Sequence, residues 1–252
     1  MPVLELTQLE KAYGAVKALD GLSLTVPEGC LYGLLGPNGA GKTTTIKLMS
    51  GLLKPNEGKI EIDGINVHTD PQKAKSRMGY IPDRPFIYEK LSGAEYLQFI
   101  ADLYGVDKET AASRAEKFLE FFDLDASAHQ LIGGFSHGMR QKLIISGALI
   151  HSPPVVIVDE PLVGLDPKGA KQVKRLFVEL CGKGTTIFMS THSLAIAEDM
   201  CDRIGIIQKG KMIADGSMEQ LRERASHDEG GLEEIFLKLT GDSSLDELLP
   251  EL

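Results

Sequence analysis

The 252-residue sequence predicts an α/β domain, a mostly parallel sheet covered by helices with a helical segment inserted into it. Three observations carry that expectation. An apolar run from Cys30 to Leu35 passes through a glycine-rich turn directly into a helical pattern. From about Ser92 to Pro154 helical periodicity takes over and no convincing strand is present. From Val155 onward strands and helices alternate again over short connections. Ligands of such sheets bind beyond the carboxyl ends of the strands, so the residues that carry chemistry are expected there.

In chain order, Leu22, Leu24 and Val26 alternate with Ser23 and Thr25 as a strand that Pro27-Glu28-Gly29 turns into the run Cys30 to Leu35. Ile46, Leu48, Met49, Leu52 and Leu53 fit the buried face of a helix that Pro55-Asn56-Glu57-Gly58 ends, and Ile60 and Ile62 mark a short strand. Ser92-Gly93-Ala94-Glu95 reads as a capping box ahead of Tyr96, Leu97, Phe99, Ile100 and Leu103. Phe118, Leu119, Phe121 and Phe122 mark a second helix of the insertion. Val155–Val158, Thr185–Met189 and Arg203–Ile207 read as strands, Asp166-Pro167 caps and starts the helix running toward Leu180, and Lys209-Gly210 is a hairpin turn.

Composition excludes several classes. With 27 basic against 36 acidic residues the net charge is −9, which argues against wrapping nucleic acid or adsorbing to anionic lipid. No stretch reaches the ~18 apolar residues of a spanning helix, and the N-terminus has no basic region followed by an apolar core. The expected place is the cytoplasm. Cys30, Cys181 and Cys201 are widely spaced without a C-x-x-C pattern and are expected as buried thiols. His68, His129, His151 and His227 lie in loop or helix-start contexts that suggest surface positions.

The strongest motif is Gly36-Pro37-Asn38-Gly39-Ala40-Gly41-Lys42-Thr43, between a predicted strand and a predicted helix. Glycines let successive N–H groups close around phosphates at the positive end of the following helix. Lys42 is placed to neutralise the β- and γ-phosphates and the Thr43 hydroxyl to ligate Mg²⁺. Val155-Val156-Ile157-Val158-Asp159-Glu160 ends in two carboxylates, the first a candidate metal ligand and the second a candidate base for an attacking water. His192 follows the strand Thr185–Met189 at the same edge, within expected reach of a γ-phosphate.

Together these residues resemble the ATP-binding cassette (ABC) ATPase family, specifically the separate nucleotide-binding subunit of a transporter. The resemblance covers nearly the whole chain. It implies a P-loop NTPase fold with a mostly parallel sheet core, an N-terminal antiparallel β part and a helical subdomain at about 84–154 inserted in a domain of residues 1–222, followed by an acidic helical extension at 223–252. It implies ATP and Mg²⁺ as ligands, with Thr44 beside Thr43 at the nucleotide. Tyr13 in Lys11-Ala12-Tyr13-Gly14 corresponds to the family's adenine-stacking aromatic, Gly164-Leu165-Asp166 to its D-loop and His192 to its switch histidine. Where the family's signature motif is Leu-Ser-Gly-Gly-Gln, this chain reads Phe135-Ser136-His137-Gly138-Met139, keeping Ser136 and Gly138. That motif completes the ATP site of an opposite subunit, which implies a second ABC ATPase subunit as partner. Asp83 stands where the family usually has a glutamine and is a further metal candidate.

The resemblance further implies separate membrane-spanning subunits, a peripheral position on the inner face of the cell membrane, and no nucleic-acid partner. The segment Leu232 to Gly241 resembles the C-terminal helix of cassettes serving ABC-2-class exporters, or is simply an amphipathic helix packing on its own domain. The alternative function is a soluble ABC clamp without transport, which usually carries two cassettes or a long coiled coil; no heptad run is present here. A GTPase or small-molecule kinase using the same phosphate loop is the weaker rival, since no N-K-x-D string occurs and the Phe135–Met139 and His192 elements would be unexplained. Residues 223–252 hold nine acidic and two basic residues, so the charge of −9 sits mostly in this stretch and suggests an appendage that faces away from the membrane or meets a basic partner surface.

Overall fold

The computed structural model describes residues 2–83, 86–225 and 231–241. The chain runs β1 (Pro2–Tyr13), β2 (Val16–Pro27), β3 (Leu31–Leu35), α1 (Lys42–Met49), β4 (Glu57–Ile62), β5 (Ile65–Asn66), α2 (Pro71–Ser76) and β6 (Met78–Ile81). Three helices follow, α3 (Gly93–Leu103), α4 (Lys108–Phe121) and α5 (His137–Leu149). The remainder is β7 (Val155–Asp159), α6 (Pro167–Gly182), β8 (Thr186–Ser190), α7 (Leu194–Met200), β9 (Arg203–Gln208), β10 (Lys211–Gly216), α8 (Met218–Ala225) and α9 (Leu232–Thr240).

Two sheets form. An antiparallel sheet has the order β2-β1-β4-β5, and a six-stranded sheet has the order β10-β9-β3-β8-β7-β6, parallel throughout except for the antiparallel β9–β10 pair. Strands β3, β7 and β8 are buried at every residue, which explains why they read as unbroken apolar runs rather than alternating ones. Tyr32 of β3 and Phe188 of β8 stack at 5.4 Å across the sheet's centre, both fully buried. Three apolar clusters surround the sheet: one against the antiparallel sheet and α1, one against α5 and α6, and one beneath α7, α8 and α9.

The capping box is present in both halves: Glu95 N–H donates to Ser92 Oγ at 3.3 Å and Ser92 N–H to Glu95 Oε2 at 2.8 Å. Asp166 caps α6 by accepting from Gly169 N–H at 3.2 Å. Among the described residues the only pairing inside the helical insertion is an isolated bridge between Ser92 and Leu131.

Four expectations change. Helix α1 stops at Met49, with Gly51 in the left-handed region, so Leu52 leaves the helical face and stands 59% exposed. Cys30 is buried as expected, but Cys181 and Cys201 are only half-buried; burial pushes their thiols up, that of Cys181 to about 12. His68 and His151 are half-buried rather than on the surface. Helices α8 and α9 are not an appendage: Leu221, Ala225, Leu232 and Ile235 are buried in the cluster under α7, and a boundary at 222/223 would fall inside α8. His227 and most of the acidic residues of the tail, like Arg84 at the expected start of the insertion, lie outside the described residues.

Candidate functional site

The glycine-rich turn leaves the carboxyl end of β3 and enters α1, whose N-cap is Gly41. Two glycines are required by space. A Cβ at Gly36 would meet the Ile207 carbonyl and lie 2.9 Å from Ile207 Cγ2. Gly41 has φ +115°, and a Cβ there would lie 2.7 Å from Ala18 O. The loop is thereby clamped between β9 and β2, and the Ala40 N–H closes it by donating to Pro37 O at 3.1 Å. Lys42 Nζ donates to Gly36 O at 2.5 Å and Pro37 O at 3.1 Å, so its ammonium sits over the loop. Burial pulls this ammonium below its ordinary value, while the carboxylates of Glu160 and Asp159 pull it back up.

The β7–β8 register aligns Asp159 with Ser190, which brings the ends of these strands to the same edge. Ser190 Oγ donates a hydrogen bond to Asp159 Oδ1. Burial lifts the Asp159 carboxyl above its ordinary range; the Ser190 bond and Lys42 oppose the lift and the charges of Asp83 and Glu160 add to it. Glu160 has φ +53°, an uncommon conformation for a residue with a side chain. Three donors hold its carboxylate: His192 N–H at 3.0 Å and Nδ1 at 2.7 Å on Oε1, and Thr191 Oγ1 at 3.2 Å on Oε2. The Glu160 side chain is 17% exposed and that of His192 69%, so the histidine reaches out from a carboxylate fixed beneath it.

One pocket of about 200 Å³ is lined by Asn38, Gly39, Lys42, Thr43, Asp83, Asp159, Glu160, Ser190 and His192. A neighbouring cavity, also about 200 Å³, is lined by Gly36, Pro37 and Asn38 of the loop together with His192 and Phe236 of α9. Ala40 and Gly41 hold the loop from behind, and Thr44 is half-buried in the first turn of α1. Other expected residues lie apart from this pocket. Tyr13, 48% exposed, stands at the β1–β2 hairpin with Lys11 Nζ 5.7 Å from its ring centroid. Ser136 caps α5, accepting from Met139 N–H at 3.3 Å, and Gly138 follows in the first turn. His137 packs its ring against the backbone of Gly164, whose missing Cβ makes the room.

Ser190 and Thr191 were not singled out by sequence reasoning, although they anchor both carboxylates. Their signal was the hydroxyl pair before His192 at the end of a buried strand. Oxygen donors from Thr43, Asp83 and Asp159 around an under-neutralised carboxylate suit a hard cation. Among the described residues no three His, Cys, Asp or Glu are placed to hold an ion by themselves. That donor set fits Mg²⁺, which takes one or two carboxylates and completes its shell with phosphate oxygens and water.

A glycine-rich loop on a helix N-terminus, a lysine above it and a strand-end Asp-Glu pair at the carboxyl edge of a parallel sheet define a P-loop nucleoside triphosphatase. Residues 19–163 match the ABC transporter family model. The chain is 40% identical over 223 residues to the bacitracin transport ATP-binding protein BcrA of Bacillus licheniformis, covering 88% of this chain and 72% of that one. It is 38% identical over 219 residues to the daunorubicin resistance ATP-binding protein DrrA3 of Streptomyces coeruleorubidus, covering 87% and 69%. A solved ATP-binding subunit of an ABC transporter superposes with a TM-score of 0.91 at 35% identity, over 94% of this chain and 99% of that one. The chain belongs to the ABC transporter family and is an ATP-binding ATPase of that family.

Proposed function

We propose that this chain hydrolyses ATP to drive export of a substrate through separate membrane subunits. The observation that carries the reading is the convergence of Lys42, Thr43, Asp83, Asp159, Glu160 and His192 on one pocket at the head of α1. In this reading the backbone N–H groups of the loop Gly36 to Thr44, apart from Pro37, which has none, and Ala40, whose own is engaged, bind the phosphates together with the Lys42 ammonium, and Tyr13 stacks on the base. Glu160, held by His192 and Thr191, accepts a proton from the attacking water, and His192 orients that carboxylate while facing the γ-phosphate. Thr43, Asp159 and Asp83 would hold Mg²⁺, which supplies charge compensation at the phosphate oxygens when bound. Ser136 and Gly138, at the N-terminus of α5, meet the nucleotide of a second ATPase subunit, so ATP clamps two cassettes and hydrolysis releases them.

Membrane partners are expected on the helical subdomain at about 84–154. Phe86 is 90% exposed, Tyr88 52% and Leu103 66%, and Tyr88 packs edge-on to Phe99 at 5.4 Å. Phe99 and Leu103, four residues apart on α3, share a face on which Tyr88 packs, and exposed large apolar side chains of this kind suit a protein partner. Among the described residues no helix is long and apolar enough to cross a membrane. The chain is then held at the inner face of the cell membrane by that partner, without nucleic acid. Two relatives whose names refer to drug resistance and bacitracin transport support the export direction.

The test is Glu160→Gln. Loss of the base lowers kcat by about 10²–10⁴-fold while ATP binding persists, and the ATP-bound dimer accumulates in size-exclusion chromatography. Near-normal turnover would remove Glu160 from the mechanism. Copurification from detergent-solubilised membranes with a multi-spanning subunit supports transport; recovery with ribosomes alone points to a soluble clamp.

A further inference from the structure

Among the described residues a further cavity, of about 290 Å³, lies away from the nucleotide edge. Pro153 and Thr185, which precede β7 and β8, stand at its floor, so it opens at the amino ends of the strands whose carboxyl ends carry Asp159 and Ser190. Its apolar wall is built from Phe118 and Phe121 of α4, Leu149 of α5, and Leu176 and Leu180 of α6. The wall therefore spans the joint between the helical insertion and the sheet-covering helix. The volume is close to the lower end of small-molecule sites, which combine an apolar body with a few charged groups fixing orientation.

The charged groups are unbalanced. Arg114 and Lys117 line the cavity, and among the described residues neither has a carboxylate partner. Arg114 Nη1 donates to Ile150 O at 2.7 Å, which fixes the guanidinium without neutralising it. The only acidic group in the lining, Glu179, is engaged by Arg175 at 2.8 Å. Two uncompensated cations beside an apolar recess are unexpected in a chain of net charge −9.

We propose that this cavity binds an amphipathic monoanion, an unbranched aliphatic chain with a carboxylate head, its chain lying between Phe118 and Leu176 and its head between Arg114 and Lys117. The apolar wall accepts the chain and the two cations select the sign of the head. The occupant bridges α4 and α6 and leaves the phosphate loop free.

Decanoate and decylammonium, which share a chain length and differ in charge, are titrated into the full-length protein by calorimetry below their self-association concentrations. Decanoate is expected to bind saturably at one per chain and decylammonium at least tenfold more weakly. Lys117→Glu, at an exposed position outside the nucleotide pocket, is expected to weaken decanoate at least tenfold with the melting temperature unchanged. Leu176→Trp, which fills the recess, is expected to abolish binding while ATP affinity is kept. Equal binding of both amphiphiles, no saturable decanoate binding, or undiminished binding to Lys117→Glu overturns the proposal. The comparison of the two amphiphiles and the Lys117→Glu titration do not depend on the Leu176→Trp variant folding.

Discussion

His151 couples the stability of the helical insertion to pH. Its ring stacks on Tyr104 with centroids 3.7 Å apart and planes 10° from parallel, and Nε2 lies 3.2 Å from the Met78 carbonyl. A carbonyl only accepts, so Nε2 carries the proton and the neutral ring presents a bare Nδ1, for which the described residues offer no partner. Protonating Nδ1 would put a charge in a half-buried site beside Arg114. Burial accordingly pushes the imidazole down to about 4, with Arg114 adding to the fall and the Met78 bond resisting it.

The unfolded ring titrates near its ordinary value of 6.5, above the folded one, so the unfolded state takes up the proton first. Stability is therefore complete above about pH 6.5 and is lost as pH falls toward 4. Each pH unit between the two titrations is worth about 1.36 kcal/mol, so the limiting loss is ~3.4 kcal/mol, of which ~2 kcal/mol is already gone at pH 5. Partial solvent access reduces this to about 1–2 kcal/mol. Urea unfolding of wild type and His151→Phe at pH 7.5 and 5.0 tests the account. Phenylalanine keeps the stack and loses the bond to Met78, so the variant should be less stable by about 1 kcal/mol at pH 7.5. It should equal or exceed wild type at pH 5.0. Parallel losses of stability in the two proteins would show that His151 is not the titrating group.

Three further outcomes follow from the site. Ser190→Ala removes the bond that opposes the lift of the Asp159 carboxyl, so the acid limb of kcat/KM should move to higher pH; an unmoved limb in a pH series refutes this. Gly41→Ala must place a side chain at φ +115° and against Ala18 O and Leu19, and should cost about 2 kcal/mol or more in thermal unfolding along with nucleotide affinity. Gly164→Ala drives a methyl into the His137 ring, and His137→Gly in the same chain should restore about 1 kcal/mol of the loss. Strict additivity in that double-mutant cycle would show that the two residues do not meet in solution.

What could be read from the sequence divides along the range of the interactions involved. The phosphate loop is legible because strand, turn and helix are contiguous, and the Ser92 capping box because its two partners are three residues apart. The anchoring of Asp159 by Ser190 depends on the β7–β8 register, a pairing across 31 residues that no local pattern encodes. The exposure of Leu52 turns on the backbone at Gly51, which overrides a periodicity that still looks helical. Helix α9 is the most instructive case, because an amphipathic stripe looks the same whether it covers its own domain or a partner. Here Leu232 and Ile235 are fully buried and Phe236 lines a cavity shared with Asn38 and His192. Fully burying an aliphatic side chain contributes about 1.5–3 kcal/mol, so a deletion beginning at residue 223 would open the cluster beneath α7 and alter the edge of the ATP pocket at once. The contribution of the acidic residues beyond Gly241 is tested by truncation after Gly241, which leaves α9 and its buried side chains in place.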